Sequence, residues 1–286
     1  MTVAVVTDST AYLPAELIAQ ARLTVVPLHV IVDDYEYTEG VDLTPQALAA
    51  ALTKSARVST SRPAPTVFLE AYERLAAAGA EAIVSVHLSA GLSGTYDAAV
   101  LAARESPVPV LVVDSQMMGM ALGFAVLAAA RAAAAGAAAS EVARSAASHA
   151  DASSVFFYVH TLDYLRRGGR IGAASAFLGS ALAIKPILAL AHGHIEPVEK
   201  QRTTARAVAR LVDLAEQAGW ARPGPVDLAV HHLGAPERAD KVAAELASRL
   251  EGRLAAGSPM IVELGAVAGA HLGPGSVAVA VSPRVP

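Results

Sequence analysis

Cysteine is absent from the 286-residue chain, which excludes disulfides, thiolate metal sites and cysteine nucleophiles together. No run of Lys and Arg occurs either. The 22 basic residues stand against 26 acids, giving a net charge of -4 and a pI near 6.1. That leaves no phosphate-tracking surface, and no nucleic-acid partner is expected. The opening Met1-Thr2-Val3-Ala4-Val5-Val6-Thr7-Asp8 lacks the basic start of a signal peptide. The longest apolar run, residues 117–130, stops at Arg131, short of the about 20 residues a membrane helix needs. A buried helix is predicted there, with no integral membrane segment and a cytoplasmic location. Internal repeats and long linkers are also lacking.

What the chain has is apolar mass. Hydrophobic residues make up 54%, enough for a large core and too many for a disordered polymer. The length suits two modest α/β domains. Residues 2–7, 24–32, 82–86 and 108–113 are β-branched and nearly continuously apolar, as strands buried on both faces of a parallel sheet are. Residues 14–20, 45–54, 65–79 and 92–104 between them have helical patterns, and Pro14, Pro45 and Pro65 sit where a first-turn proline is tolerated. Helices over 116–135 and 140–150 and a strand over 155–159 follow. After that the character changes: strands over 186–190 and 194–199 flank His192-Gly193, a hairpin turn. Strands over 226–231, 260–264 and 277–281 and helices over 203–219 and 236–253 complete the chain. The fold class predicted is α/β in two domains. Residues 1–160 form a mostly parallel sheet flanked by helices, and residues 161–286 an α/β domain with a more antiparallel sheet.

The most informative stretch is Ser89-Ala90-Gly91-Leu92-Ser93-Gly94-Thr95-Tyr96. It follows a buried strand and opens a helix, at the carboxyl edge where ligands of open parallel sheets collect. Amides of a helix's first turn lack intrahelical partners and favour an anion. Gly91 and Gly94 admit a ligand to the backbone, and Ser89, Ser93 and Thr95 add hydroxyls. The same residues also describe an ordinary capped turn. A second hydroxyl cluster, Ser59-Thr60-Ser61-Arg62-Pro63-Ala64-Pro65, reads either as an N-cap before Pro65 or as a share of an anion site. Arg166-Arg167-Gly168-Gly169-Arg170 places an arginine suited to carboxylate or phosphate among glycines. His271 stands alone in the glycine-rich Gly265–Gly275 segment, either structural or ligand-binding.

Eight motifs occur in order: Thr7-Asp8-Ser9-Thr10, Thr60-Ser61-Arg62-Pro63, Gly91-Leu92-Ser93-Gly94-Thr95-Tyr96, Val113-Asp114-Ser115, Leu165-Arg166-Arg167-Gly168-Gly169-Arg170-Ile171, Ile184-Lys185-Pro186-Ile187, Val198-Glu199-Lys200-Gln201-Arg202-Thr203 and His271-Leu272-Gly273-Pro274-Gly275. Together they resemble the DegV family, which includes the fatty-acid-binding subunits of bacterial fatty acid kinase. The resemblance implies a long-chain fatty acid held between or beneath two domains, with no other cofactor. Its carboxylate would be bound by Thr60 and Ser61, by Ser93 with the adjacent Gly94, and by His271. Arg170, near the head-group opening, and Arg166, Arg167 and Arg202 would line the head-group rim or face the partner, a fatty acid kinase catalytic subunit. That subunit makes an acyl phosphate for phospholipid synthesis. Three positions depart from the family pattern: Arg62 replaces a common Gln, Ala64 a Ser, and Ala90 a Ser. Apolar walls for the tail are expected from residues 117–130 and 173–183.

Other classes remain to be weighed. Gly91-Leu92-Ser93 resembles a nucleophile elbow, with Asp114 and His271 as candidate triad partners, but Thr95 stands where that pattern has glycine. Phosphoryl transfer by the chain itself lacks a Walker A pattern, and Asp8-Ser9-Thr10 is not Asp-x-Asp. For metals the clusters are His231-His232 and His192-x-His194, without a carboxylate arrangement. A regulatory module that binds no lipid is the remaining alternative.

Overall fold

The computed structural model describes residues 2–54, 57–177 and 184–285. Along the chain run β1 (Val3–Asp8), α1 (Ala15–Gln20), β2 (Thr24–Val26), β3 (His29–Val32), β4 (Tyr35–Thr38), α2 (Pro45–Thr53), β5 (Val58–Ser61) and α3 (Pro65–Ala77). Then come β6 (Ala82–His87), α4 (Thr95–Ala103), β7 (Val110–Asp114), α5 (Met120–Ala134), α6 (Ala139–Asp151), β8 (Ser154–Tyr158) and α7 (Asp163–Arg167). The remainder is β9 (Lys185–Ala191), β10 (His194–Gln201), α8 (Thr204–Ala221), β11 (Val226–His232), α9 (Pro236–Arg249), β12 (Met260–Glu263), α10 (Ala266–Leu272) and β13 (Val277–Pro283).

The chain divides into two compact units: residues 1–29, 61–152 and 285–286 in the first, residues 30–60 and 153–284 in the second. The sequence reading puts one boundary near 160. The observed change falls at 152/153, just before β8, and residues 30–60 go to the second unit.

The first unit is the predicted parallel sheet, in the order β2-β1-β6-β7, every pairing parallel. All of β6 is buried, which explains its unbroken apolar pattern. Phe68, Ala71 and Tyr72 of α3 and Ala98, Ala99 and Ala102 of α4 pack on Val6 and Ile83. Helices α5 and α6 pack against strands of the same sheet.

The second unit holds a six-stranded sheet, β10-β9-β8-β13-β11-β12, antiparallel except for β11 with β12. Leu211 and Val212 of α8 and Val242 and Leu246 of α9 join Val230 and Val279 in its core. His192 and Gly193, with φ of 50° and 76°, form the expected hairpin turn.

Three expectations need correction. The strand predicted over 24–32 is two strands: Pro27, which has no amide hydrogen to donate, separates β2 of the parallel sheet from β3. β3 instead joins β4 and β5 in a three-stranded sheet, order β4-β3-β5, two of whose strands are too short and polar to show a period. The glycine-rich segment around His271 is partly helix α10, because six of its seven residues are buried and tertiary packing offsets the poor helix propensity of glycine.

Candidate functional site

The second unit contains Thr60 and His271, and the structure brings them together. Thr60 lies on β5, and the cap of the following helix is Ala64, whose methyl group caps nothing. The hydroxyls of Ser59, Thr60 and Ser61 are therefore not spent on an N-cap. Thr60 Oγ1 lies 2.9 Å from His271 Nε2. His271, next to last in α10, packs against bare backbone: a Cβ on Gly168 would clash with His271 Nδ1, and one on Gly273 with the Tyr164 ring. Gly168 makes room for the imidazole, and Gly273 for the Tyr164 ring.

Burial, and then the nearby positive charge of Arg170, push the His271 pKa down to about 4. At neutral pH the ring therefore carries one proton. Nδ1 is buried without a hydrogen-bond partner. A buried N–H donor left unpaired is rarer and costlier than an unused acceptor, so the proton belongs on Nε2, donated to Thr60 Oγ1. That leaves the Thr60 O–H to donate elsewhere, which is the requirement for holding an anion.

Arg170 folds back, its Nη1 donating to Gly168 O at 2.7 Å. Arg166 pairs with Asp163 at 3.4 Å on the exposed side of α7, and Arg167 lies 4.8 Å over the Tyr164 ring. Arg202 is exposed just beyond β10. A cleft of about 360 Å³, lined by Arg57, Ser59, Tyr164, Arg167, Gly168 and Ala270, abuts the residues that flank the Thr60–His271 pair.

The first unit contains Ser61, Ser93 and Gly94. Ser61 ends β5, partly buried. The loop from β6 to α4 leaves the carboxyl edge of the parallel sheet, as predicted, but the helix begins at Thr95 rather than at Leu92. Its first residues are pinned one by one: Ser89 N–H to Met117 O at 2.9 Å, Ala90 N–H to Asp114 Oδ1 at 3.1 Å, and Gly91 N–H to Ser89 Oγ at 3.1 Å. Ser93 Oγ pairs with Thr95 Oγ1 at 2.8 Å and receives Thr95 N–H at 3.3 Å. Arg62 Nη1 donates to Gly94 O at 3.3 Å, so the departure at 62 is a loop contact.

Beneath this loop lies a polar chain that sequence reasoning did not assemble. Tyr72 donates to Ser85 Oγ at 2.9 Å, Ser85 Oγ meets His87 Nε2 at 2.7 Å, and His87 Nδ1 meets Asp8 Oδ2 at 3.0 Å. The signal was present: Ser85 and His87 are polar residues two apart, hence on one face, in an otherwise apolar strand. This is the connectivity of a Ser-His-Asp triad. Ser85, His87 and Asp8 are nevertheless wholly buried, and the elbow serine, Ser93, spends its oxygen on Thr95.

Among the described residues no cluster of His, Asp and Glu could hold a metal ion, and no helix is long and apolar enough to cross a membrane. From Met120 the run 117–130 lies in α5, a core helix of the first unit, with Met120, Leu122, Phe124 and Val126 buried. Of the second expected wall, residues 178–183 lie outside the described residues.

The model of the DegV family, described as "Uncharacterised protein, DegV family", matches residues 2–284. A DegV domain-containing protein of Streptomyces coelicolor is 54% identical over 283 residues, 99% of each chain. A DegV family protein from Thermus thermophilus, described for its fatty acid binding, superposes with a TM-score of 0.88 at 32% identity, covering 99% of this chain and 100% of that one. DegV of Bacillus subtilis, described as a fatty acid binding protein, does so with a TM-score of 0.90 at 32% identity and the same coverage.

Proposed function

The chain belongs to the DegV family, and on that premise we propose that it binds a long-chain fatty acid and presents the carboxylate to a separate kinase subunit. The observation that carries this reading is the Thr60–His271 pair. A neutral imidazole donates to a threonine oxygen, whose own hydrogen is then available to an anion. A fatty acid carboxylate needs a few such donors, while its tail contributes affinity at about 0.8 kcal/mol per buried methylene.

In this reading Thr60 and His271 hold one side of the carboxylate. Ser61, Ser93 and the Gly94 backbone are the further donors, and Arg170 supplies the neutralising charge at the rim. Arg166, Arg167 and Arg202 meet the kinase, whose phosphoryl transfer converts the carboxylate to an acyl phosphate. The chain binds and positions; the partner does the chemistry.

The test has two arms. Mass spectrometry of an organic extract from the purified protein should find fatty acid at one equivalent per chain. Ser93→Ala and His271→Ala should each cut acyl-phosphate formation with the partner kinase by about tenfold or more while the fold is retained. A lipid-free extract from protein that takes up no added fatty acid would overturn the reading, as would unchanged turnover in both variants.

A further inference from the structure

We propose that the buried chain Tyr72–Ser85–His87–Asp8 is a positioning device for the loop of residues 88–94, setting the form in which Ser93 receives a carboxylate; that last step rests on the fatty-acid reading above.

The order of protons along the chain follows from its donors. Tyr72 O–H donates to Ser85 Oγ, and burial raises the Tyr72 pKa to about 12, so that hydrogen stays in place. Ser85 therefore turns its own hydrogen toward His87 Nε2, 2.7 Å away. His87 then carries its proton on Nδ1 and donates it to Asp8 Oδ2 at 3.0 Å. The Phe68 ring stands edge-on to His87 at 5.0 Å between centroids and helps fix the imidazole plane.

Asp8 is where the chain acts on the loop. Its Oδ1 accepts from Thr10 N–H at 3.0 Å and Thr10 Oγ1 at 2.5 Å. Its Oδ2 accepts from His87 and from Leu88 N–H at 2.9 Å. Leu88 is the first loop residue after β6, and this bond ties the loop to the end of β1. Four donors surround one wholly buried carboxylate, and each matters because an under-solvated carboxylate is costly in a low-dielectric interior. If His87 stops donating, the carboxylate must reorient or draw in water, and the Leu88 bond is lost with it. Apolar residues would fill the same space without any desolvation cost. What the polar chain adds is a defined geometry at the root of the loop.

Two substitutions separate this role from packing. In His87→Asn the side-chain amide stands where Nδ1 stood and still donates to Asp8. In His87→Gln it stands where Nε2 stood, keeping Ser85 and losing Asp8. The readouts are amide hydrogen exchange of residues 88–93 in the ligand-free full chain, and the Kd for a fluorescent C16 fatty acid. His87→Gln should exchange about tenfold faster in the loop and bind about tenfold more weakly, the loss of one charge-assisted bond. His87→Asn should stay within about threefold on both measures. Equal effects in the two variants, or unchanged loop exchange in His87→Gln, would overturn the proposal. Should His87→Gln not fold, Asp8→Ala replaces it, since it leaves Leu88 N–H without a side-chain acceptor; unchanged loop exchange there is equally fatal. If the parent binds no fatty acid, the function reading fails, while the exchange arm still decides the positioning role.

Discussion

His87 in the first unit is wholly buried and His271 in the second partly so, and their valences are spent differently. Both ring nitrogens of His87 are engaged, and the chain they belong to ends on a saturated carboxylate. His271 uses Nε2 on Thr60 and leaves Nδ1 facing the bare backbone of Gly168. A closed network holds its surroundings in one form. An imidazole bonded on one side, to a hydroxyl with a hydrogen still to give, can take up a ligand. The two histidines thus differ in bond accounting as well as in burial.

The sharpest way to break this comparison is at Gly168. Its backbone angles, φ -77° and ψ -5°, suit any residue, so Gly168→Ala costs nothing in conformation. The added methyl lands on His271 Nδ1 and must displace the ring from Thr60. Fatty acid affinity should fall by about a hundredfold, two hydrogen bonds' worth. The neighbouring Gly169→Ala is the control: φ is +71° and nothing stands within 4 Å. It should cost about 1 kcal/mol of stability through the backbone and leave affinity alone. Similar affinities for the two variants, measured by displacement of a fluorescent fatty acid, would remove His271 from the site.

How much of this was legible beforehand depended on whether the signal was local. The parallel sheet of the first unit followed from continuous apolar runs, and the hairpin from His192-Gly193. Ser93 was placed correctly at the carboxyl edge because strand, glycines and helix follow one another within a dozen residues. The Thr60–His271 pair was reached only through family resemblance, since 211 residues separate the partners. The three-stranded sheet escaped notice because Tyr35–Thr38 and Val58–Ser61 are four-residue strands of mixed polarity. Gly168 leaves room for a ring far away in the chain, which no local pattern announces.

Acid should sharpen the comparison with a smaller effect. His271 and His231, both in the second unit, have pKa values lowered to about 4. Burial is the main cause for each, reinforced by Arg170 at the first and by His232 at the second; a backbone bond involving Val262 partly offsets the shift of His231. Because the folded values lie below the unfolded 6.5, their stability contribution is complete above about pH 6.5. It is lost as pH falls toward about 4, at up to about 1.4 kcal/mol per pH unit for each ring. Denaturant midpoints at pH 7 and pH 5 should differ accordingly, with faster hydrogen exchange in α10, β11 and β13. His271→Gln, which cannot titrate but still presents an Nε2–H, should lose one ring's share of the acid sensitivity. An unchanged acid slope in that variant would mean that His271 takes up its proton as readily in the folded chain as in the unfolded one, and the donor order drawn through Thr60 would lose its basis.

The smallest effect is expected at Arg62, and its smallness is informative. The side chain is exposed, and its bond to Gly94 O is long, at 3.3 Å. A solvated contact of that kind contributes well under about 1 kcal/mol. The loop it touches is held independently by Asp8, Met117 O, Asp114 and Ser89 Oγ. Arg62→Gln, which restores the residue common in the family pattern, should therefore change fatty acid Kd by less than about twofold, roughly 0.4 kcal/mol. It should also leave exchange of residues 88–93 unchanged. If Arg62→Gln instead loosened the loop as much as His87→Gln does, the loop would be governed from its exposed side. The buried chain would then be a filler of the core rather than the loop's anchor. The contrast between a closed histidine that sets geometry and an open one that binds thus stands or falls on which of two bonds, Leu88 to Asp8 or Arg62 to Gly94, the loop answers to.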